Sequence, residues 1–270
     1  MRVEVLGNQD TTDTPMVAVV GAIHGDEPCG ARAIDRFLGS EFVDDIQRPV
    51  KLIIANEEAL AAGTRYVDAD LNRSFPGAAH SDVHEKRLAH DLLQEIDGCV
   101  TLGFHSTVSF DEPFGTLADP TPLKTEIMQA LPLDHAADFS GVVEGRSVNL
   151  PQFVNVEAGY QGSDAAAETA YECLLAFLRV MDVLRGTVNP TPTTHYLVQD
   201  TITKTPDVTY FVHANNFEQV IEGEVFATTN AGDEFVADHD FWPVLLSADG
   251  HDVLLGYRSD RLGEIGATTA

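Results

Sequence analysis

The segment "VVGAIHGDEPCG" (residues 19–30) is an apolar run that stops at His24, Asp26 and Glu27. His24 and Glu27 stand three residues apart, a spacing that lets an imidazole and a carboxylate converge on one cation. Zinc takes both donor types, and its catalytic sites use three protein ligands and keep one position open. His105 in "TLGFHST" is the candidate third ligand, because it too follows an apolar run. Taken alone, H-x-x-E recurs by chance. His24 would then be a turn histidine, with Asp26 and Glu27 as acids stabilising the start of the next helix. His105 alone would be an ordinary core histidine.

A second constellation changes that balance. "TRYVDADLNRSFPG" (64–77) gathers Arg65, Asp68, Asp70, Asn72 and Arg73 in a chain otherwise poor in bases. The planar guanidinium grips carboxylates in a two-pronged fashion, so two arginines beside an asparagine suit an anion site. The plainer alternative is a surface loop whose arginines pair with its own aspartates. Glu157 directly follows the apolar "FVNV". An acid there is costly to bury unpaired, and such carboxylates cluster at functional sites. Otherwise it caps the turn before "GSD". His80 and His84 sit four apart at a helix start and are expected to face solvent. His195, His213, His239 and His251 are expected on the surface of a C-terminal β region.

These residues need a scaffold. "MVAVVG" (16–21), "VKLIIAN" (50–56), "CVTLGF" (99–104) and "FVNVE" (153–157) read as strands buried on both faces. Helical patterns alternate with them. One begins near Asp26, which is expected to cap it, with Pro28 in its first turn, Ile34, Phe37 and Leu38 on one face and Gly39 as its stop. Asp82 and Glu85 provide a capping signal for a helix carrying Leu88, Leu92, Leu93 and Ile96. A longer helix follows "GSD" (162–164), with Ala166, Ala170, Cys173, Phe177, Met181 and Leu184 at helical spacing. Alternation of strand and helix predicts an α/β sheet, and ligands bind such sheets beyond the carboxyl ends of the strands, where His24, Glu27 and His105 fall. After the Pro/Thr-rich "GTVNPTPTT" (186–194) the pattern shortens to period two in "HYLVQD", "TYFVH", "WPVLL" and "DVLLGY", which predicts a small β domain. The expected division is a catalytic domain over 1–187 and a β-rich domain over 188–270.

Composition narrows the function classes. The 270 residues carry 43 acids against 16 bases, a formal net charge of −27 spread along the whole chain. Phosphate binding needs a basic patch, so nucleic acid is disfavoured as a partner. Self-repulsion of this size destabilises a compact state until salt screens it, a condition that salt-loving organisms exploit. A halophilic, soluble, cytoplasmic protein is therefore expected. The start "MRVEVLGNQD" lacks the apolar core of a signal peptide, and no run approaches the ~20 apolar residues of a membrane span. Cys29, Cys99 and Cys173 form no CxxC pair and imply no disulfide framework.

"GAIHGDEP", "RYVDADLNRSFPG", the strand-end His105 and "NVEAGYQG" (155–162) together resemble the succinylglutamate desuccinylase/aspartoacylase family, zinc amidohydrolases related to metallocarboxypeptidases. The resemblance runs in order from about residue 16 to 185 and more loosely into the β region. It implies a mixed sheet flanked by helices, of zinc carboxypeptidase type, with a small C-terminal β domain that narrows the site mouth against long peptides. It makes His24, Glu27 and His105 ligands of one zinc ion and Glu157 the general base and then general acid. Arg65 would face the reacting carbonyl, Asn72 and Arg73 would bind a substrate carboxylate, and Arg146 and Tyr257 would be further substrate contacts, with Asp70 orienting its neighbours. The implied substrate is a small anionic acylated amino acid. Two departures stand out: Gly103 replaces a common acid two residues before the last histidine, so His105 is expected to find another partner, such as a backbone carbonyl, and "NE" (56–57) replaces a common "NP". A peptide-cleaving metallocarboxypeptidase and a catalytically silent anion-binding protein remain alternatives, as does homo-oligomerisation.

Overall fold

In a computed structural model, residues 1–7, 16–142 and 146–267 are described. The first part of the chain runs β1 (Arg2–Leu6), β2 (Met16–Gly21), α1 (Cys29–Leu38), β3 (Val50–Ile54), α2 (Glu57–Ala62), α3 (His84–Ile96), β4 (Cys99–Thr107), β5 (Phe114–Leu117), α4 (Pro122–Ala130), β6 (His135–Asp138), β7 (Phe153–Tyr160) and α5 (Asp164–Val180). The four apolar runs are the parallel centre of one sheet, in the order β3-β2-β4-β7. Their unbroken hydrophobicity has a direct cause in β2. Val17 and Val19 pack into the core under α1, α4 and α5, while Ala18 and Val20 pack into the core under α3. A strand covered on both faces has no solvent side on which a polar residue could alternate.

The helices follow their expected faces. α1 buries Ile34 and Phe37 and is closed by Gly39. α5 starts where the Ser163 hydroxyl accepts the Ala166 N–H, and it buries Ala166, Ala170, Cys173 and Phe177. It ends at Val180, so Met181 is its C-cap and Leu184 packs into the core from beyond the helix, not on its face as expected. Truncating a buried phenylalanine such as Phe37 to alanine costs about 3–5 kcal/mol, so this packing anchors the α1 end of the site.

The remainder comprises β8 (Thr194–Thr203), β9 (Tyr210–Val212), β10 (Val225–Thr229), β11 (Glu234–Val236), β12 (Trp242–Val244) and β13 (Leu254–Glu264). Part of it extends the main sheet. β8 lies parallel to β6, and β13 and β12 add antiparallel strands, so ten strands of the described residues share one sheet. β11-β10-β9 form a separate antiparallel sheet. The proposed division at 187/188 is therefore bridged by backbone hydrogen bonds between β6 and β8. Strands β5 and β6, four residues each, had no legible period in the sequence, and neither did α4. Among the described residues no helix is long and apolar enough to cross a membrane.

Candidate metal centre and active site

The turn after β2 is built by close approach. A Cβ on Gly21 would lie 2.6 Å from the Gly30 carbonyl carbon, and one on Gly30 would lie 2.5 Å from the Phe104 Cβ. Only glycine at both positions lets α1 lie this close to β2 and β4. Ala22 takes a left-handed conformation (φ 53°), which swings the chain out of the sheet ahead of His24. Asp26 does not cap α1 as expected: the helix begins at Cys29 with Pro28 as its N-cap, no side chain caps it, and one Asp26 oxygen is buried without a hydrogen-bond partner. The hairpin closed by the Glu27 N–H on the His24 carbonyl leaves Asp26 upstream of the helix's free N–H groups.

His24, Glu27 and His105 meet in the buried interior, their ligand atoms within 4.8 Å of one another. Glu27 stands between the rings, with Oε1 2.8 Å from His24 Nδ1 and Oε2 2.8 Å from His105 Nδ1. The other nitrogen of His24 is 3.0 Å from Asp70 Oδ1, so a carboxylate fixes its ring from behind, as is usual for metal-binding histidines. Although burial opposes its charge, His24 is raised to about 9 by the Glu27 charge and by hydrogen bonds to Asp70 and Glu27. Burial likewise opposes ionisation of Glu27, yet the two histidines hold it well below the usual carboxylate range. Two imidazole nitrogens with one carboxylate match the donors zinc prefers.

Glu157 reaches the same place through sheet register. β4 and β7 pair so that His105 lies opposite Glu157. Burial pushes the Glu157 carboxyl up to about 7; the His105 charge works against this and that of Glu27 with it. A carboxyl poised near neutrality can both accept and return a proton. His105 Nε2 is buried, and among the described residues nothing accepts a hydrogen bond from it, so the expected backbone carbonyl is not there. The space beside Gly103 is taken by its register partner Asn155, whose Oδ1 would lie 2.4 Å from a Cβ at 103.

The loop carrying Arg65, Asn72 and Arg73 lines the same cavity as this cluster. Arg65 donates to Glu27 Oε1 (2.9 Å) and Asp70 Oδ2 (3.2 Å), and Arg73 donates to the same Asp70 oxygen (2.7 Å). Asn72 accepts the Ser147 N–H (2.8 Å), and Arg146 donates to the Tyr257 hydroxyl (3.1 Å). All nine residues singled out in the sequence line one cavity of about 140 Å³. Its remaining wall was missed. His251, expected on the surface, lies 2.7 Å by Nε2 from an Arg73 nitrogen, and burial together with Arg73 and Arg65 lowers its basicity. Nothing local in "ADGHD" marks it, because its partner lies 178 residues away. His195 is also not on the surface: it is part-buried against Asp138 (3.2 Å).

The sequence profile of the succinylglutamate desuccinylase/aspartoacylase catalytic domain matches residues 13–109. A probable aspartoacylase of Nostoc sp. is 33% identical over 108 residues, 34% of this chain and 35% of the relative. An N-acyl-aromatic-L-amino acid amidohydrolase (carboxylate-forming) of Rattus norvegicus is 37% identical over 87 residues, 29% of this chain and 27% of the relative. These alignments thus span only 35% and 27% of the two relatives' lengths. The fold match is broader. A succinylglutamate desuccinylase/aspartoacylase from Rhodobacter sphaeroides superposes with a TM-score of 0.78 at 18% identity, covering 97% of this chain and 89% of that one. The α/β fold expected from the sequence, a mixed sheet flanked by helices with a C-terminal β region, is the fold of these neighbours.

Proposed function

We propose that the chain is a member of the succinylglutamate desuccinylase/aspartoacylase family, whose catalytic-domain profile matches residues 13–109, and a zinc-dependent hydrolase that cleaves the amide bond of a small anionic N-acyl amino acid. The observation that carries this is convergence: a His-Glu-His donor set, a carboxyl raised to about 7 and three arginines line one cavity. A site of about 140 Å³ suits a small metabolite better than the 300–1,000 Å³ typical of larger ligands.

His24 Nδ1, Glu27 and His105 Nδ1 would hold the metal. When bound, zinc supplies Lewis acidity to the acyl carbonyl and makes a water acidic enough to attack near neutral pH. Glu157 accepts the proton of the attacking water and passes it to the departing nitrogen. Arg65, beside Glu27, stabilises negative charge as it develops on the acyl oxygen. Asn72 and Arg73 take a substrate carboxylate, and Arg146 with Tyr257 adds further substrate contacts. Asp70 is shared by His24, Arg65 and Arg73, so it ties the metal side to the anion side.

The test is metal analysis followed by a panel of N-acetyl and N-succinyl amino acids and C-terminally blocked and free oligopeptides, assayed in high salt. One zinc per chain and turnover of acyl amino acids are expected. Release of C-terminal residues from peptides would shift the assignment to a carboxypeptidase, and full zinc without any turnover would make the chain a silent binder.

A further inference from the structure

Glu85 is fully buried at the second residue of α3, and among the described residues no Lys, Arg or His forms an ion pair with it. Its compensation is a set of N–H donors. Oε1 accepts the Val67 N–H (2.6 Å) and Asn56 Nδ2 (3.1 Å), and Oε2 accepts the N–H groups of Asp68 (3.0 Å) and Ala69 (2.9 Å). The contact is reciprocal, since Asp68 Oδ2 accepts the His84 N–H (2.8 Å) at the start of the same helix. Asp82 and Glu85 therefore do not make the capping pair that the sequence suggested, and Asp68 takes the capping role from the loop.

We propose that Glu85 is a positioning residue for substrate binding, its carboxylate clamping residues 67–69 so that Arg65 and Arg73 present a fixed anion-binding face. Arg65 precedes the clamped stretch by two residues and Asp70 follows it directly. Packing does little for this half of the loop, because Tyr66 and Val67 are 44% and 40% exposed. The second half is held differently, by the buried Leu71 and Phe75. The clamp also leads back to the metal side. Asn56, which donates to Glu85, caps α2 through the Ala59 N–H, and its own N–H bonds the Ala22 carbonyl two residues before His24. Burial tends to raise the Glu85 carboxyl, but these N–H donors hold it below its ordinary value.

The substrate part of this proposal rests on the deacylase assignment; the clamp does not. Glu85→Gln is the informative variant. An amide has one acceptor oxygen, so whichever way it turns, two donors face its NH₂ group. On the zinc-loaded protein, amide hydrogen exchange at 67–69 should accelerate while that of β2, β3 and β4 stays unchanged. KM for an acyl amino acid turned over by the wild type should rise about tenfold with kcat changed about threefold or less, as expected for lost binding geometry rather than lost chemistry. Glu85→Asp, which keeps the charge, should recover part of the KM effect. Unchanged exchange at 67–69 overturns the clamp, and faster exchange with unchanged KM overturns its role in binding. Equal loss of zinc, kcat and thermal stability in both variants would make Glu85 a general core residue and overturn it as well. If the wild type turns over no acyl amino acid, the deacylase assignment fails, and the exchange measurement alone decides the clamp.

Discussion

The two walls of the cavity are built differently. His24, Glu27 and His105 stand at the carboxyl ends of β2 and β4, neighbouring parallel strands, and are 2–4% exposed. Arg65 and Arg73 stand on a loop, with side chains 39% and 42% exposed, and His251 approaches Arg73 from the C-terminal β region. The first wall gets its geometry from a sheet buried on both faces. The second is held by the hydrogen bonds of Glu85 and Asp70 and by the burial of Leu71 and Phe75 on either side of Arg73. In the proposed function, the chemistry that needs fixed donor positions would sit on the rigid scaffold and substrate recognition on supported loops.

The sharpest way to break this division is to disable the strand-end wall. His24→Ala, or chelation of the native protein, should abolish turnover together with the metal. Glu157→Gln should retain the metal and lose turnover by a factor on the order of 10²–10⁴, the range of general acid–base contributions. Metal analysis and steady-state kinetics separate the two. As the proposed general base, Glu157 would work in its ionised form, so kcat/KM should fall as pH drops through its folded-state value of about 7. A bound cation would move that limb lower. An unchanged acid limb in a partly active Glu157 variant would contradict its assignment.

A smaller effect is expected from the loop wall. Arg73→Ala should lower kcat/KM by about 10- to 100-fold, mostly through KM, in line with the loss of charged hydrogen bonds. His251→Ala should change it by only a few fold, because that ring is held toward its neutral form by burial and by Arg73. A larger effect at His251 than at Arg73 would reverse the ranking and make the β region the main recognition element.

The least specific expectation concerns the whole surface. With a net charge of −27, the melting temperature should rise from low to molar salt as repulsion is screened. A flat profile would remove the halophilic assignment while leaving the comparison of the two walls untouched.

Much of the site was legible because its signals are local. His24 and Glu27 are three residues apart, the anion loop is one continuous segment, and each strand-end residue follows an apolar run that could only be a buried strand. The errors were also local readings. Asp26 and Glu85 both carry the sequence signature of helix-start acids, yet one lies upstream of its helix and the other turns inward to the loop. Propensity describes what an acid can do near a helix start. It does not say which N–H groups packing will bring within reach.

The sequence by itself determined the donor types, the central strands and the helices that flank them, because these depend on side-chain chemistry and on periods of two or 3.6 residues. Tertiary structure alone decided which imidazole nitrogens face Glu27, that Asp70 backs His24, that Glu157 falls opposite His105, and that His251 reaches Arg73. Those outcomes depend on strand register and on contacts between distant segments. A one-residue slip of β7 would turn Glu157 away from the cavity without changing a single local pattern.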